Sequence, residues 1–208
     1  MFIKYIVVGL VMTNCYLLSS DDSDKCVVVD PGGNADRIMD EIKKSGKVLS
    51  AILLTHGHFD HIGGVSELKS LSESDVVIYA PMAEKELLED INLNCSKQIH
   101  RPVTVCADKF FGDGDVIKEA GLEFEVIATP GHTIGSSCFY IKDEGVLFAG
   151  DTLFEMSVGR TDLPTGNGMQ LVNSVKEKLF VLPDDTIVYP GHGADTSIGF
   201  EKRNNMYV

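Results

Sequence analysis

The 208-residue chain contains no tryptophan, and several other scarcities say more. No run of lysine and arginine occurs, and the formal net charge is −13. A nucleic-acid surface needs clustered cations, so nucleic acid is not an expected partner. The acidity reads as a contribution to solubility. No apolar run approaches the ~20 residues that cross a bilayer, so no membrane partner is expected either. Lys4 followed by the apolar residues Ile6 to Met12 has the outline of a signal peptide. However, Asn14, Cys15 and Tyr16 do not make a small-residue cleavage site, and the stretch reads as two strands joined near Gly9. The five cysteines (Cys15, Cys26, Cys95, Cys106 and Cys138) form no CxxC pair. Their odd number and wide spacing argue against a cysteine metal site. They fit buried free thiols in a reducing compartment, so a cytoplasmic location is expected. A low-complexity linker and a short-period repeat are also missing. A single domain over residues 1–208, with 44% hydrophobic residues to build a core, is therefore expected.

Metal-ligand side chains, in contrast, are concentrated in one place. Thr55-His56-Gly57-His58-Phe59-Asp60-His61 holds three histidines and one carboxylate within six residues. Imidazole nitrogen and carboxylate oxygen are the donors that zinc and similar divalent ions accept. The preceding Ala51-Ile52-Leu53-Leu54 is wholly apolar, as in a strand buried on both faces. Ile62, Val65, Leu68 and Leu71 recur at helical spacing, which predicts one helix over 62–71. The cluster then lies in a loop at the end of a buried strand. His56 and His58 are two apart, so an extended backbone turns both rings to one side. Asp60 and His61 are adjacent and are expected to diverge. One ion does not readily take all four donors, whereas two neighbouring ions can.

Along the chain, strands are predicted over 2–8, 11–18 and 26–29, the last ending at Asp30-Pro31-Gly32-Gly33. Asn34 is placed to cap a helix whose apolar side holds Ile38, Ile42 and Val48. Val76 to Tyr79 is a strand, and Pro81 starts a helix to about Ile91. Residues 92–114 are irregular and are expected to wrap the surface. A strand over 122–128 leads into Thr129-Pro130-Gly131-His132-Thr133. A hairpin of 137–141 and 146–149 ends at Gly150-Asp151-Thr152. A glycine- and proline-rich loop and an amphipathic helix with Leu171, Val172, Val175 and Leu179 follow. The last strand, 186–189, ends at Pro190-Gly191-His192-Gly193.

Every candidate ligand thus follows a strand, where open α/β sheets place their sites. Besides these four strand ends, His56–His61, His132, Asp151 and His192, Asp30 marks a fifth, which is acidic. Five of the six histidines lie in these loops, and His100 is left as an ordinary loop residue. Taken singly, His132, Asp151 and His192 read equally well as turn residues. Together with the first cluster they supply a two-metal site. Runs of strands with helices between and after them give an α+β chain of two packed sheets with helices outside.

In this order, His56-x-His58-x-Asp60-His61, His132, Asp151 and His192 resemble the metallo-β-lactamase superfamily. Within it, the chain is similar to glyoxalase II-like (hydroxyacylglutathione hydrolase-like) metal-dependent hydrolases. Asn14-Cys15-Tyr16-Leu17, Asp30-Pro31-Gly32, Gly150-Asp151-Thr152-Leu153-Phe154, Gly159-Arg160-Thr161-Asp162-Leu163-Pro164 and Thr196 to Glu201 extend the likeness over the whole chain. The resemblance implies an αββα four-layer sandwich. It also implies two divalent ions, with zinc the first choice and iron or manganese acceptable. The first would take His56, His58 and His132, and the second Asp60, His61 and His192. Asp151 would bridge them together with a water-derived hydroxide. β-Lactamases of the superfamily usually have cysteine at the position of Asp151 and lack the His61 ligand, which argues against β-lactams as the main substrate. Full-length glutathione-thioester hydrolases carry a further C-terminal helical domain, and a Lys and a Tyr that hold glutathione; neither is matched here.

The implied activity is thioester hydrolysis on a small-molecule substrate, the hydroxide attacking the thioester carbonyl. Asp60 and Asp151 are the expected catalytic carboxylates. Asp30 is expected behind the ligands, and Arg160 against an anionic substrate group. The alternative is a persulfide (sulfur) dioxygenase of the same superfamily, with a single iron on His56, His132 and Asp151. His100 serves as the control. His100→Ala is expected to leave metal content unchanged and stability within about 0.5 kcal/mol. A large fall in bound metal would show that the ligand set is misassigned.

Overall fold

The computed structural model describes residues 1–208. The chain opens with β1 (Phe2–Val8), β2 (Thr13–Ser19) and β3 (Lys25–Val29), followed by helix α1 (Ala35–Ser45). Next come β4 (Val48–Leu53), helices α2 (Phe59–Ile62) and α3 (Val65–Leu71), β5 (Val77–Pro81), helix α4 (Lys85–Glu89) and β6 (Lys109–Phe111). The second half contains β7 (Val116–Glu119), β8 (Leu122–Ala128), β9 (Ser137–Ile141), β10 (Val146–Gly150), the small hairpin β11 (Leu153–Phe154) and β12 (Ser157–Val158), and helix α5 (Gly168–Ser174). It closes with β13 (Ile187–Pro190), β14 (Thr196–Ser197) and α6 (Ile198–Asn204).

One sheet has the order β1-β2-β3-β4-β5-β6, and the other β14-β13-β10-β9-β8-β7. β3 to β6 run parallel, and so do β10 and β13. Alternation along the strands builds the layers. Val27 and Val29 face the space between the sheets with Phe124, Phe139 and Phe148. Cys26 and Val28 face outward against Ile38 and Ile42 of α1 and Leu68 of α3. Cys138, Tyr140 and Leu147 of the second sheet face Val175, Leu179 and Ile198. The result is an αββα sandwich, as the resemblance implied. No helix is long and apolar enough to cross a membrane.

Several expectations are corrected. The helix over 62–71 is two helices, broken at Gly63-Gly64, and the first begins at Phe59. Asp60 and His61 therefore sit on α2, not in a loop. Asn34 occupies the position before α1 but takes φ 54° and makes no side-chain cap. Its Oδ1 accepts instead from Gly9 N in the β1–β2 turn (2.9 Å), tying that turn to α1. Val48 is not on the apolar side of α1; it begins β4 and is 50% exposed. Residues 92–114 do not simply wrap the surface, since Asn94, Cys95 and Ser96 are buried and Lys109–Phe111 forms the edge strand β6. Among the thiols Cys106 is exposed, while the other four are buried. β6, β7, β14 and α6 are short elements with too few alternations to announce themselves.

The loop after β3 packs directly on α2. A Cβ on Gly32 would lie 1.5 Å from the Asp60 carbonyl oxygen, so only glycine permits this approach. Gly32→Ala has to displace α2, and with it Asp60 and His61. It is expected to cost at least about 1–3 kcal/mol, the usual range for overpacking, as a lower denaturation midpoint. An unchanged midpoint would refute the tight packing.

Candidate metal centre

Four segments, the stretch from β4 into α2 and the loops after β8, β10 and β13, deliver seven side chains to one edge of the two sheets. Ligand atoms lie within 4.8 Å of one another in three overlapping triads: His56-His58-His132, His56-His61-Asp151 and Asp60-His61-His192. Asp60 and His61 do not diverge as their adjacency suggested. On α2 both reach the same point, with His61 Nε2 3.5 Å from Asp60 Oδ2. Asp151 reaches both ends of the cluster. Its Oδ2 is 3.5 Å from His132 Nε2 and 3.6 Å from His192 Nε2, and its Oδ1 is 3.3 Å from His61 Nε2.

The surrounding bonds fix which imidazole nitrogen points inward. Asp30 Oδ1 accepts from Thr55 N (2.8 Å), and its Oδ2 accepts from the Thr55 hydroxyl (2.6 Å). With its one proton given to Asp30, Thr55 Oγ1 accepts from His56 Nδ1 (3.1 Å). His61 Nδ1 donates to Asp30 Oδ2 (2.9 Å), and His132 Nδ1 donates to the Arg160 carbonyl oxygen (2.7 Å). In all three rings Nε2 is then the free donor atom, the usual arrangement behind metal-bound histidine. His58 faces the cluster through Nδ1, 2.9 Å from His132 Nε2. The Thr13 hydroxyl donates to Asp60 Oδ2 (3.1 Å). The His192 loop is held by β2: Asn14 Nδ2 donates to the Pro190 (3.1 Å) and Gly193 (2.9 Å) carbonyls, and the Tyr16 hydroxyl to Pro190 O (2.6 Å).

The donor set fits metal ions. His56 Nε2, His61 Nε2 and Asp151 Oδ1, one of the three triads, are fully buried without a hydrogen-bond partner. Buried polar atoms are costly unless satisfied, so three orphans in one triad mark a place for a cation. Burial, reinforced by neighbouring imidazoles, holds His56 well below the ordinary histidine range and takes His58 down to about 3. Burial also lowers His132, against the pull of Asp151. At His61 burial is outweighed by Asp60, Asp151 and Asp30, and at His192 by Asp60 and Asp151, so both are raised. Burial would raise Asp60 and Asp151, but the facing histidines hold both below the usual carboxylate range. Burial thus favours neutral rings at the three-histidine end, the form that ligates, while at the other end the carboxylates favour the proton that a cation would displace.

The site opens into a cleft of about 390 Å³. Val11, Phe59, Cys95, Phe154 and Leu163 wall it, and Phe154 lies edge-on to the His192 ring. Phe59, Phe154 and Leu163 lie within motifs of the family resemblance, whereas Val11 and Cys95 carried no sequence signal for the site. Arg160 does line the cleft, yet its guanidinium makes two 2.7 Å bonds to Asp162. It therefore presents a neutralised pair to an anion. Its contribution to the metal cluster is the backbone carbonyl on His132. His100 is exposed and lies outside the cluster.

The fold and this donor set define a class of αββα metalloproteins. Residues 8–192 match the metallo-beta-lactamase superfamily. The chain belongs to that superfamily. It is 40% identical over 205 residues to the probable metallo-hydrolase YqgX of Bacillus subtilis, covering 97% of this chain and 94% of that one. It is 36% identical over 211 residues to hydroxyacylglutathione hydrolase GloC of Haemophilus influenzae, covering 100% and 98%. Among solved structures, BLEG-1 B3 metallo-beta-lactamase superposes with TM-score 0.93 at 39% identity, covering 99% of each chain. TTHA1623 in a di-iron-bound form gives 0.87 at 32%, covering 99% and 100%. ETHE1 from Myxococcus xanthus gives 0.80 at 31%, covering 99% and 84%.

Asp151 is the carboxylate within reach of imidazoles at both ends, His132 at one and His61 and His192 at the other. Asp151→Ala is expected to weaken metal binding by more than the ~10–100-fold that outer bonds cost, and to abolish nearly all hydrolysis, with the fold retained. Two tightly held ions in that variant, by elemental analysis after dialysis, would count against a bridging role.

Proposed function

We propose that the protein is a dinuclear metal-dependent hydrolase of thioesters, of the hydroxyacylglutathione type. The observation that supports it most is the position of the Asp151 carboxylate, between a three-histidine end and an Asp60-His61-His192 end. The end-to-end similarity to GloC supports the substrate class. Zinc is the first choice, and the same donors accept iron or manganese. Bound cations of this kind lower the pKa of water to about 7 and polarise a carbonyl oxygen. The protein's part is to hold and orient. Asp151 Oδ2 spans the two ends. Asp60, fixed by the Thr13 hydroxyl and 3.2 Å from His192 Nε2, orients the attacking water by accepting its hydrogen. The apolar wall of Phe154, Leu163 and Val11 limits water around the reacting carbonyl. The leaving thiolate, with a thiol pKa of about 8.5, departs without a general acid.

The similarity to ETHE1 favours one second reading, a mononuclear iron persulfide dioxygenase on His56, His132 and Asp151. Metal stoichiometry and oxygen uptake separate the two. The similarity to BLEG-1 makes a β-lactam a necessary control substrate, against the expectation from Asp151 and His61.

Specificity for the thiol half is expected to be modest. Arg160 is tied to Asp162, so it offers little net charge to a glutathione carboxylate. kcat/KM for S-lactoylglutathione is expected to exceed that for the same acyl group on a smaller thiol by only about 1–10-fold, at most about 1.4 kcal/mol. A preference of roughly a thousandfold, about 4 kcal/mol, would reveal a dedicated glutathione pocket. Cleavage of neither, with oxygen consumed on glutathione persulfide, would move the assignment to the dioxygenase.

A further inference from the structure

Glu84 is a carboxylate that the reaction does not use. It lies between β5 and α4 and is 0% exposed, with no lysine, arginine or histidine paired to it. Both oxygens are nevertheless engaged. Oε2 accepts from Gly57 N (2.7 Å), and Oε1 accepts from Gly135 N (2.7 Å). Gly57 separates His56 from His58. Gly135 closes the turn that begins at His132, where Thr133 N also donates to Ser136 Oγ (3.0 Å). One carboxylate therefore joins two loops 78 residues apart in the chain, counted from Gly57 to Gly135.

The approach is closely built. A Cβ on Gly135 would meet Glu84 Cγ and Oε1 at 2.7 Å, and one on Gly57 would meet Leu87 Cδ2 at 2.8 Å. The opposite end of the site has separate anchors. Thr13 holds Asp60, and Asn14 with Tyr16 holds the His192 loop, while Asp30 holds His61 and reaches His56 as well through Thr55. Glu84 bonds to none of these.

We infer that Glu84 is a positioning residue for the three-histidine half of the metal centre, its carboxylate setting the His56–His58 loop and the His132 turn at the spacing one ion needs. The inference rests on the two-metal reading of the site. An amide has one accepting oxygen in place of two, and its NH2 group faces a backbone N–H as donor to donor. Glu84→Gln therefore keeps the shape and can keep only one of the two ties. Its effect falls on one ion, not on both.

The test is stepwise Co2+ titration of the metal-stripped full chain, followed by calorimetry and the cobalt absorption bands, with thermal melting of each metal-free variant. Wild type is expected to show two binding steps. Glu84→Gln is expected to weaken one step by about 10–100-fold, the usual cost of losing a bond behind a ligand, and to leave the other step and the metal-free melting temperature nearly unchanged. Thr13→Val marks the other step, because the Thr13 hydroxyl bonds Asp60 and no ligand of the three-histidine end. Weakening of the same step by both variants overturns the proposal. So does equal weakening of both steps by Glu84→Gln with a fall in melting temperature, which is a general structural role. Unchanged binding in Glu84→Gln overturns it as well. Should Glu84→Gln not fold, Gly135→Ala, which pushes the same carboxylate away from the turn, is judged by the same criteria. A wild type with a single step removes the two-metal reading instead. The proposal is then decided by whether Glu84→Gln weakens that one ion, and unchanged affinity overturns it.

Discussion

The structure depends on one electrostatic constraint: imidazole nitrogens and carboxylate oxygens are buried together with too few hydrogens to satisfy them. His56 Nε2, His61 Nε2 and Asp151 Oδ1 belong to one triad and lack partners, although they are out of water. An arrangement of that kind is unfavourable by several kcal/mol unless a cation resolves it. Without a cation, Asp60 and Asp151 favour protons on His61 and His192, which would relieve part of it. At the three-histidine end burial works the other way and favours neutral rings. A divalent ion resolves both ends at once, by giving the carboxylates a counter-charge and the orphaned nitrogens a partner.

Proton direction propagates outward from this point. Asp30, at the end of β3, can only accept. It therefore commits the Thr55 hydroxyl to donate, which leaves Thr55 Oγ1 as the acceptor for His56 Nδ1. The same carboxylate accepts from His61 Nδ1. One residue thus sets the tautomers of two ligands assigned to different ions. Asp30 takes the left-handed backbone (φ 51°), a conformation costly for most residues and more tolerable for Asp. That local strain sits where the first sheet meets the site. It persists because the β3–β4 ladder and the contact of Gly32 with α2 leave the chain no alternative.

Part of this was legible from the sequence for simple reasons. The ligand residues follow buried strands, and buried parallel strands are apolar runs that end abruptly in glycine, proline and polar residues. Val27-Val28-Val29 before Asp30 and Ile52-Leu53-Leu54 before His56 are cases in point. The sandwich and its strand ends follow from that pattern, helped by the family resemblance. What was not legible depends on contacts between distant segments. Asn34 looks like a helix cap, but the β1–β2 turn competes for its oxygen and wins. Glu84 sits in an ordinary helical start, and nothing local announces that Gly57 and Gly135 converge on it. Arg160 reads as an anion contact until Asp162, two residues away, is seen to pair with one edge of its guanidinium through Nε and Nη2. Adjacent Asp60 and His61 were expected to part, because the short helix that aims both inward is set by packing under Gly32 and not by its own periodicity.

The donor set by itself does not choose the chemistry. Zinc, iron and manganese all accept imidazole and carboxylate, and solved structures with this fold include one described as a β-lactamase, one as di-iron-bound and one as ETHE1. Selection has to come from what the cleft lets near the ions. Here the walls are apolar at Val11, Phe154 and Leu163, and the nearest cation is neutralised by its own neighbour. Such a cleft gives little uniform binding energy to a charged carrier. It leaves discrimination to the reacting group, which must place a polarisable carbonyl at the cluster and release a stable anion. A thioester meets both demands, because its carbonyl is electrophilic and its thiolate needs no proton to depart. An oxygen ester needs in addition a proton for its alkoxide, and the lining residue in place to return one is Asp60, once it has taken the hydrogen of the attacking water. The proposed thioester reaction therefore asks less of the cleft than an ester would.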